Sequence, residues 1–186
     1  MLKPLIEEMV SKMEKSVEAT ERELRTIRSS RADASLVEHV RVDYFGTKTP
    51  LLHLASFAIP DPRTIVVTPY DRNVMQQIER AISTAGLGVM PVREGNYIRI
   101  NLPPLTEERR KELSKLVARK GEEGKVALRN IRRETKERIE ALEKKEEHVS
   151  EDDAWRAQQD ILKKTEQWIE RIEALIAKKQ DEVMTI

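Results

Sequence analysis

The chain has 186 residues, of which 36% are charged and only 4% aromatic, and its formal net charge is +1. This balance favours long solvated helices over a thick globular core. It excludes a globally cationic protein, so any nucleic-acid site must be confined to one face. The absence of cysteine excludes disulfides and thiolate chemistry. No apolar run approaches the roughly 20 residues of a membrane span, and the first residues lack a secretory signal, so we expect a cytoplasmic protein without a membrane segment.

The first segment of the chain is typical of one long amphipathic helix. From Leu2 to Ile27, apolar residues recur at steps of three and four, which places them on one helix face. This face consists of Leu2, Ile6, Met9, Met13, Val17, Leu24 and Ile27, with Thr20 in the one gap of the series. Such a face must be buried against other elements.

Between residues 29 and 104 the pattern becomes short, alternating and interrupted by turn residues. It predicts strands at residues 40–44, 51–54, 57–59, 64–68 and 97–102, with turns at residues 45–47 and 93–96. Apolar residues at Val74, Ile78 and Ile82 give one helix face, and Gly86 and Gly88 supply its C-terminal stop. We therefore predict a compact domain of about five strands and one helix.

Two more long helices are predicted after Pro103 and Pro104. Thr106 precedes two glutamates, which favours a helix start because its hydroxyl can cap free N–H groups while the carboxylates complement the helix dipole. A break is predicted near His148 and Val149, and Ser150 opens the last helix. The inward faces carry Leu113, Leu116, Val117, Leu128, Ile131, Ile139 and Leu142, and then Gln158, Ile161, Leu162, Thr165, Trp168, Ile169, Ile172, Leu175, Ile176 and Val183.

Three helices with one apolar stripe each can bury those stripes against each other. The sequence therefore predicts an α+β protein with a long three-helix bundle, residues 1–28 and 105–186, and an inserted β/α/β domain, residues 29–104. Short crossings at residues 29–34 and 102–106 favour a hinge. The hinge residues would be Arg28, Ser29, Ser30, Arg31, Leu102, Pro103, Pro104 and Leu105. Because the stripes close within one chain, we expect a monomer rather than a self-assembling coiled coil.

Five basic residues follow one face of the second long helix, and we call them the basic stripe: Lys125, Arg129, Arg132, Arg133 and Lys136. They fall within a sector of roughly 80°, centred about 120° from the apolar face. Arginine suits bidentate contact with phosphate, which predicts RNA binding that weakens with salt. A merely solvated face stays open as the alternative. Nothing in the stripe distinguishes ribosomal RNA from another polyanion.

Gly121 and Gly124 lie inside the same helix pattern, where each costs about 1 kcal/mol relative to alanine. Two interpretations are open for them. They can permit close approach of a partner or a neighbouring helix, or they can be a tolerated local weakness. The segment is not a phosphate-binding loop, because it lacks a preceding strand and a Lys-Ser or Lys-Thr ending.

The sequence offers no catalytic or metal-binding constellation. His39, His53 and His148 are scattered, with no second His or carboxylate at metal-ligand spacing. The acidic run at residues 151–153 is typical of a helix start, and there is neither a Gly-x-Ser-x-Gly elbow nor a thiol. We therefore predict a protein that is not an enzyme and that needs no metal or cofactor.

Four segments resemble the bacterial ribosome recycling factor family in order and spacing over essentially the whole chain. They are residues 27–32 (IRSSRA), 42–51 (VDYFGTKTPL), 102–111 (LPPLTEERRK) and 126–133 (VALRNIRR). The last two are quite specific to that family. One departure is Ser29-Ser30, where the family commonly has Thr-Gly.

The resemblance implies an L-shaped molecule in which a three-helix bundle is joined to a βαβ-type domain by two linkers. It implies binding at the intersubunit face of the large ribosomal subunit after termination, with Arg129, Arg132 and Arg133 on ribosomal RNA. Elongation factor G, using GTP, would push on the smaller domain and so promote subunit dissociation. The alternative is a helical adaptor that binds other proteins, with an incidental basic stripe.

Overall fold

The computed structural model describes residues 2–29, 31–145 and 149–185. Within them the elements are α1 (Leu2–Arg25), α2 (Ser35–Glu38), β1 (Arg41–Tyr44), β2 (Thr47–Pro50), β3 (Ala55–Asp61), β4 (Thr64–Pro69), α3 (Met75–Thr84), β5 (Met90–Glu94), β6 (Tyr97–Asn101), α4 (Glu107–Lys144) and α5 (Glu151–Met184). Short 3-10 helices lie at Leu51–His53 and Arg72–Val74. The predicted α+β class is confirmed. No helix in the described ranges is long and apolar enough to cross a membrane.

Packing divides the chain into two compact units. The first unit comprises Met1–Leu24 and Ser114–Asp181, and the second comprises Arg25–Leu113 and Glu182–Ile186. The second unit therefore includes the start of α4 and the end of α5, whereas the domain bounds predicted from the sequence lie at 28/29 and 104/105. The predicted bounds and the hinge stay predictions.

The first unit is the predicted bundle of α1, α4 and α5. Its core consists of Leu5, Met9, Met13, Val17, Leu128, Ile139, Val149, Ala154, Ala157, Ile161 and Ile172. Three threonines are buried with the apolar side chains: Thr20, Thr135 and Thr165. Each hydroxyl donates to the backbone carbonyl four residues earlier, at 3.1, 2.9 and 2.6 Å respectively. The helix backbone thus satisfies these buried hydroxyls without a partner from another element.

Side-chain caps begin both C-terminal helices where the sequence predicted. The backbone N–H of Arg109 donates to Thr106 Oγ1 at 3.1 Å. At the start of α5, the N–H of Asp153 donates to Ser150 Oγ at 3.1 Å, and that hydroxyl donates to Asp153 Oδ2 at 2.8 Å. Each cap satisfies one N–H that has no partner within the helix. The predicted break falls partly on His148, which lies outside the described residues.

The second unit contains an antiparallel sheet in the order β3-β4-β6-β5 and a separate β1-β2 hairpin. Ile65 pairs with Ile100, and Val67 pairs with Ile98, across the two central strands. All four side chains are fully buried, together with Ile78 and Ile82 of α3. The helix therefore covers the apolar face of the sheet, and strands precede and follow it as predicted.

Three parts of the predicted strand and turn pattern were wrong, and two of the six strands among the described residues, β2 and β5, were not predicted. The strand expected at residues 51–54 is a 3-10 turn, in which Leu54 N–H donates to Leu51 O at 2.9 Å. Leu51 and Leu54 are both buried, and a spacing of three places them on one side of such a turn. The turn expected at 93–96 begins two residues later, because Arg93 and Glu94 end β5, and residue 47 already opens β2.

Candidate nucleic-acid interface

The basic stripe lies on α4, and the opposite sides of that helix are fixed against the bundle. Leu128 and Ile139 are fully buried on its inner face. Arg138 Nη1 donates to both carboxylate oxygens of Glu8 on α1, each at 3.0 Å. Lys12 of α1 also forms a 3.4 Å ion pair with Glu134. These contacts fix the rotation of α4 about its own axis and so determine which residues it exposes.

Glu8 is the centre of a cluster of ion pairs between α1 and α4, which we call the anchor: Glu8, Lys12, Glu134 and Arg138. Hydrogen bonds from Lys12 and then from Arg138 lower the pKa of the Glu8 carboxyl from its ordinary value. Hydrogen bonds to Glu8 and Glu134 raise the pKa of the Lys12 ammonium. Both shifts favour the charged forms. The anchor is therefore ionic at neutral pH, on the side of α4 away from the stripe.

Lys125 links α4 to α5. Its ammonium lies 3.2 Å from Glu173 Oε1 on α5, and only 16% of its side chain is exposed. A charge held between two helices of the bundle is less available to an external anion than an exposed one. Of the five predicted binding residues, Lys125 is thus the one that the structure gives a clear intramolecular role.

The next two members of the stripe are exposed but carry carboxylate partners on the same helix. Arg129 Nη1 lies 3.1 Å from Glu122 Oε1, and Lys136 Nζ lies 3.6 Å from Glu140 Oε1. Solvent-exposed pairs of this kind contribute about 0–1 kcal/mol. A phosphate could therefore replace either carboxylate at small cost.

Arg132 and Arg133 differ from the other three members. In the part of the chain that the structure describes, no carboxylate forms an ion pair with either guanidinium. Arg133 is exposed and Arg132 is half-buried. Two adjacent guanidinium groups that have no carboxylate partner among the described residues offer planar donor sets that match phosphate oxygens. The centre of the stripe is thus positively charged and flanked by two ion pairs.

Sequence reasoning found the cations of this face but missed its carboxylates. Glu122 lies seven residues before Arg129, and Glu140 lies four residues after Lys136. Both spacings return to the same side of an α-helix. Helix periodicity could therefore have placed both glutamates on the stripe.

The glycines of α4 lie where neighbouring helices approach it closely. A Cβ atom at Gly124 would stand 2.6 Å from Thr20 Oγ1 of α1 and 3.1 Å from Ile172 Cδ1 of α5. A Cβ at Gly121 would overlap the Ile176 side chain of α5. Of the two open interpretations, the structure supports close approach of a neighbouring helix.

The residues of the predicted hinge are tied to one another by hydrogen bonds within the second unit. The Arg28 guanidinium donates to the carbonyl oxygen of Pro103, which joins the first crossing to the second. Ser29 is buried, and its hydroxyl donates to Arg31 O at 3.1 Å. Ser30 lies outside the described residues. These contacts connect the two crossings but do not test whether they bend.

The second crossing is held to the sheet by its own hydrogen bonds. The N–H of Leu102 donates to Arg63 O at 2.7 Å, and Arg63 Nε donates to Leu102 O at 3.2 Å. Leu102 and Leu105 are both buried. Burial lowers the pKa of the Arg28 guanidinium, and the positive charges of Arg109 and Arg63 lower it further.

Comparisons with known proteins assign these features to one family. The family model described as ribosome recycling factor matches residues 20–184. The chain is 47% identical to the ribosome-recycling factor of Nitratidesulfovibrio vulgaris over 175 residues, covering 94% of each chain. It is 43% identical to the ribosome-recycling factor of Symbiobacterium thermophilum over the full length of both chains.

Solved structures agree with the sequence relatives. A solution structure of the ribosome recycling factor matches with a TM-score of 0.80 at 40% identity, covering 100% of this chain and 98% of that chain. A chain described as belonging to models for the T. thermophilus ribosome recycling factor and the E. coli elongation factor G bound to the E. coli post-termination complex matches with a TM-score of 0.71 at 43% identity and full coverage of both chains. The chain belongs to the ribosome recycling factor family.

Proposed function

We propose that the chain binds the post-termination ribosome at the intersubunit face of the large subunit and, with elongation factor G and GTP, promotes dissociation of the subunits. The T. thermophilus relative, bound with elongation factor G to a post-termination complex, supports this choice of partners. In this proposal GTP is hydrolysed by elongation factor G, and the present chain is not an enzyme. The chain acts in the cytoplasm, as a monomer.

The observation that carries the proposal is the unpaired charge at the centre of the basic stripe. Arg132 and Arg133 have no carboxylate partner in the described ranges, although the chain holds 33 acidic residues. Ribosomal RNA presents closely spaced phosphates that accept bidentate hydrogen bonds from guanidinium groups. Arg129 and Lys136 would join them by exchanging an intramolecular carboxylate for a phosphate, while Lys125 would hold α4 against α5.

A bundle of long helices suits the mechanical role in this mechanism. α4 has 38 residues and α5 has 34, and at about 1.5 Å per residue each is roughly 50 Å long or more. Packed side by side, such helices are stiff. RNA contacts at the stripe would fix the bundle on the ribosome while elongation factor G moves the smaller domain.

The test is co-sedimentation with post-termination ribosomes over a series of salt concentrations. We expect Arg132→Ala to weaken binding by about 1–3 kcal/mol, because a charged hydrogen-bonded contact is lost. The matched control is Arg156→Ala, which removes an exposed arginine from α5. Wild-type binding should weaken steeply with salt, since each phosphate contact releases counterions.

Two outcomes would contradict the proposal. Equal affinity of the wild type and Arg132→Ala at low salt would remove the stripe from the interface. Binding that is insensitive to salt would favour the adaptor alternative, in which the chain binds other proteins and the stripe is incidental.

A further inference from the structure

A polar cleft of about 410 Å³ lies in the second unit, between the β1-β2 hairpin and α3. The charged and amide side chains that line it are Arg41, Asp43, Lys48, Gln76, Gln77 and Arg80. They belong to the described part of that unit, and none belongs to the basic stripe. The cleft is therefore a separate feature of the molecule.

The fold requires these side chains to share one cleft. Val42 is fully buried, so its neighbours Arg41 and Asp43 lie on the outer face of β1. Lys48 is the cross-strand partner of Asp43 and so lies on the same face. On α3, Arg80 follows Gln76 by four residues and Gln77 by three, which puts the three on one side of the helix.

The cleft carries uncompensated positive charge. Three cations against the single carboxylate of Asp43 give a net charge of +2 for the lining. That carboxylate already accepts a hydrogen bond from the Gly46 N–H at 3.0 Å, which holds the hairpin turn. No carboxylate among the described residues forms an ion pair with Arg41, Lys48 or Arg80. An anion entering the cleft would displace no intramolecular partner from these cations.

An exposed aromatic side chain stands at the tip of the same hairpin. Phe45 is 77% exposed and meets the Tyr44 ring edge-on, with ring centroids 4.7 Å apart. Its φ is +48°, a left-handed conformation that is uncommon for a bulky residue. The turn therefore places a large ring in solvent although neither burial nor backbone preference favours it. Exposed rings next to cationic grooves are typical stacking platforms for unpaired bases.

We infer that the cleft binds the phosphodiester backbone of an RNA strand, with Phe45 stacking on a base of that strand. The guanidinium groups of Arg41 and Arg80 supply bidentate donors for phosphate oxygens, and the glutamine amides suit sugar and phosphate contacts. A protein partner fits less well, because the lining has no large apolar side chain to form a buried anchor. The inference rests on the proposed function, since it adds a second RNA contact on the other unit.

The first test compares two double variants of the full chain for binding to purified post-termination ribosomes. Arg41→Gln/Arg80→Gln removes two cations of the cleft. Arg72→Gln/Arg93→Gln removes two arginines of the same unit that do not line it. We expect the cleft variant to bind roughly tenfold more weakly, as for loss of charged contacts, with a shallower salt dependence. The control variant should bind like the wild type.

The second test identifies what the cleft touches. Gln77→p-benzoylphenylalanine places a photoreactive group in the cleft, and the cross-linked product is digested with nuclease or with protease. A product that nuclease alone releases supports RNA. A product that only protease releases overturns the RNA assignment in favour of an acidic protein surface. Absence of any product from ribosome-bound chain overturns the cleft as a contact.

Failure of this inference and failure of the proposed function give different results. If the cleft variant binds as tightly as the wild type while Arg132→Ala does not, only the cleft is removed from the interface. If the wild type itself does not bind ribosomes, the proposed function fails and this inference fails with it.

Discussion

In the proposed function, Glu122 would compete with RNA for one residue of the basic stripe. Its carboxylate lies 3.1 Å from Arg129 Nη1, and both side chains are about half exposed. Any phosphate that Arg129 binds must replace this carboxylate and must also approach its negative charge. In the proposed function, Glu122 would therefore lower the affinity of the stripe for RNA.

We expect Glu122→Gln to raise the affinity for post-termination ribosomes several-fold, because it frees Arg129 and removes a repulsion. The effect should be largest at low salt, where exposed charges are least screened. Equilibrium binding of fluorescently labelled chain measures it. Glu166→Gln, an exposed glutamate of α5, is the matched control. If Glu122→Gln binds ribosomes more weakly than the wild type, the ion pair between Glu122 and Arg129 positions Arg129 for binding instead of competing with it.

Pairing between side chains is the part of the site that the sequence did not reveal. Helix periodicity alone put five cations on one face, and all five lie on α4. Periodicity cannot show that Lys125 meets Glu173, because that pair depends on how α5 packs beside α4. The isolation of Arg132 and Arg133 also depends on every neighbouring helix. Such properties follow from tertiary packing and not from spacing along one helix.

Among the elements, α4 is the one whose packing depends most on glycine. Gly124 faces Thr20, which is buried, and Ile172, which is fully buried. Gly121 faces the end of the Ile176 side chain, which is half-buried. Both contacts bring α4 closer to its neighbours than any larger residue would allow, but the side chain that faces Gly121 is only half-buried, whereas those that face Gly124 are buried.

We expect Gly124→Ala to lower the free energy of unfolding by about 1–3 kcal/mol, as overpacking of a core does. Gly121→Ala is the matched variant and should cost less, because the half-buried Ile176 can turn away, while the helix-propensity gain of about 1 kcal/mol is common to both variants. Urea unfolding followed by helical circular dichroism compares them. If crowding against Thr20 causes the loss, adding Thr20→Ala should partly restore the stability of the Gly124→Ala variant. Stabilisation by Gly124→Ala would refute the close-approach interpretation.

Long helices were predictable from the sequence, whereas the short elements of the second unit were only partly so. α1, α4 and α5 each repeat a buried stripe over many turns, and most of their core residues lie on the predicted faces, although Leu5, Ala154 and Ala157 are buried and were not predicted. β2 and β5 were missed because none of their residues is fully buried, which leaves no alternation to detect. Leu162, assigned to the inward face of α5, is 38% exposed. In each case, side chains that are little buried leave a weak apolar periodicity in the sequence, so the strand or helix face is hard to predict.

At the scale of the whole chain, the proposed function depends on the two crossings between the helical bundle and the mixed domain. Proline fixes its own φ and restricts the residue before it, so Pro103 and Pro104 stiffen the second crossing. The hydrogen bond from Arg28 to Pro103 O joins that crossing to the first. This chain has Ser29-Ser30 where the family commonly has Thr-Gly, so the first crossing of this chain contains no glycine. These features together predict crossings that bend little except under an applied force.

We therefore expect Pro104→Gly to slow subunit dissociation several-fold while leaving ribosome affinity unchanged. Glycine gives the crossing many more conformations, so a push from elongation factor G would displace the smaller domain in many directions instead of in one directed swing about the anchored bundle. Light scattering of ribosomes after addition of chain, elongation factor G and GTP measures the rate. Pro60→Gly, at an exposed position of β3, is the matched control. If Pro104→Gly dissociates the subunits at the wild-type rate, the stiffness of this crossing does not limit the transfer of force. If its ribosome affinity falls together with the rate, Pro104 itself contacts the ribosome.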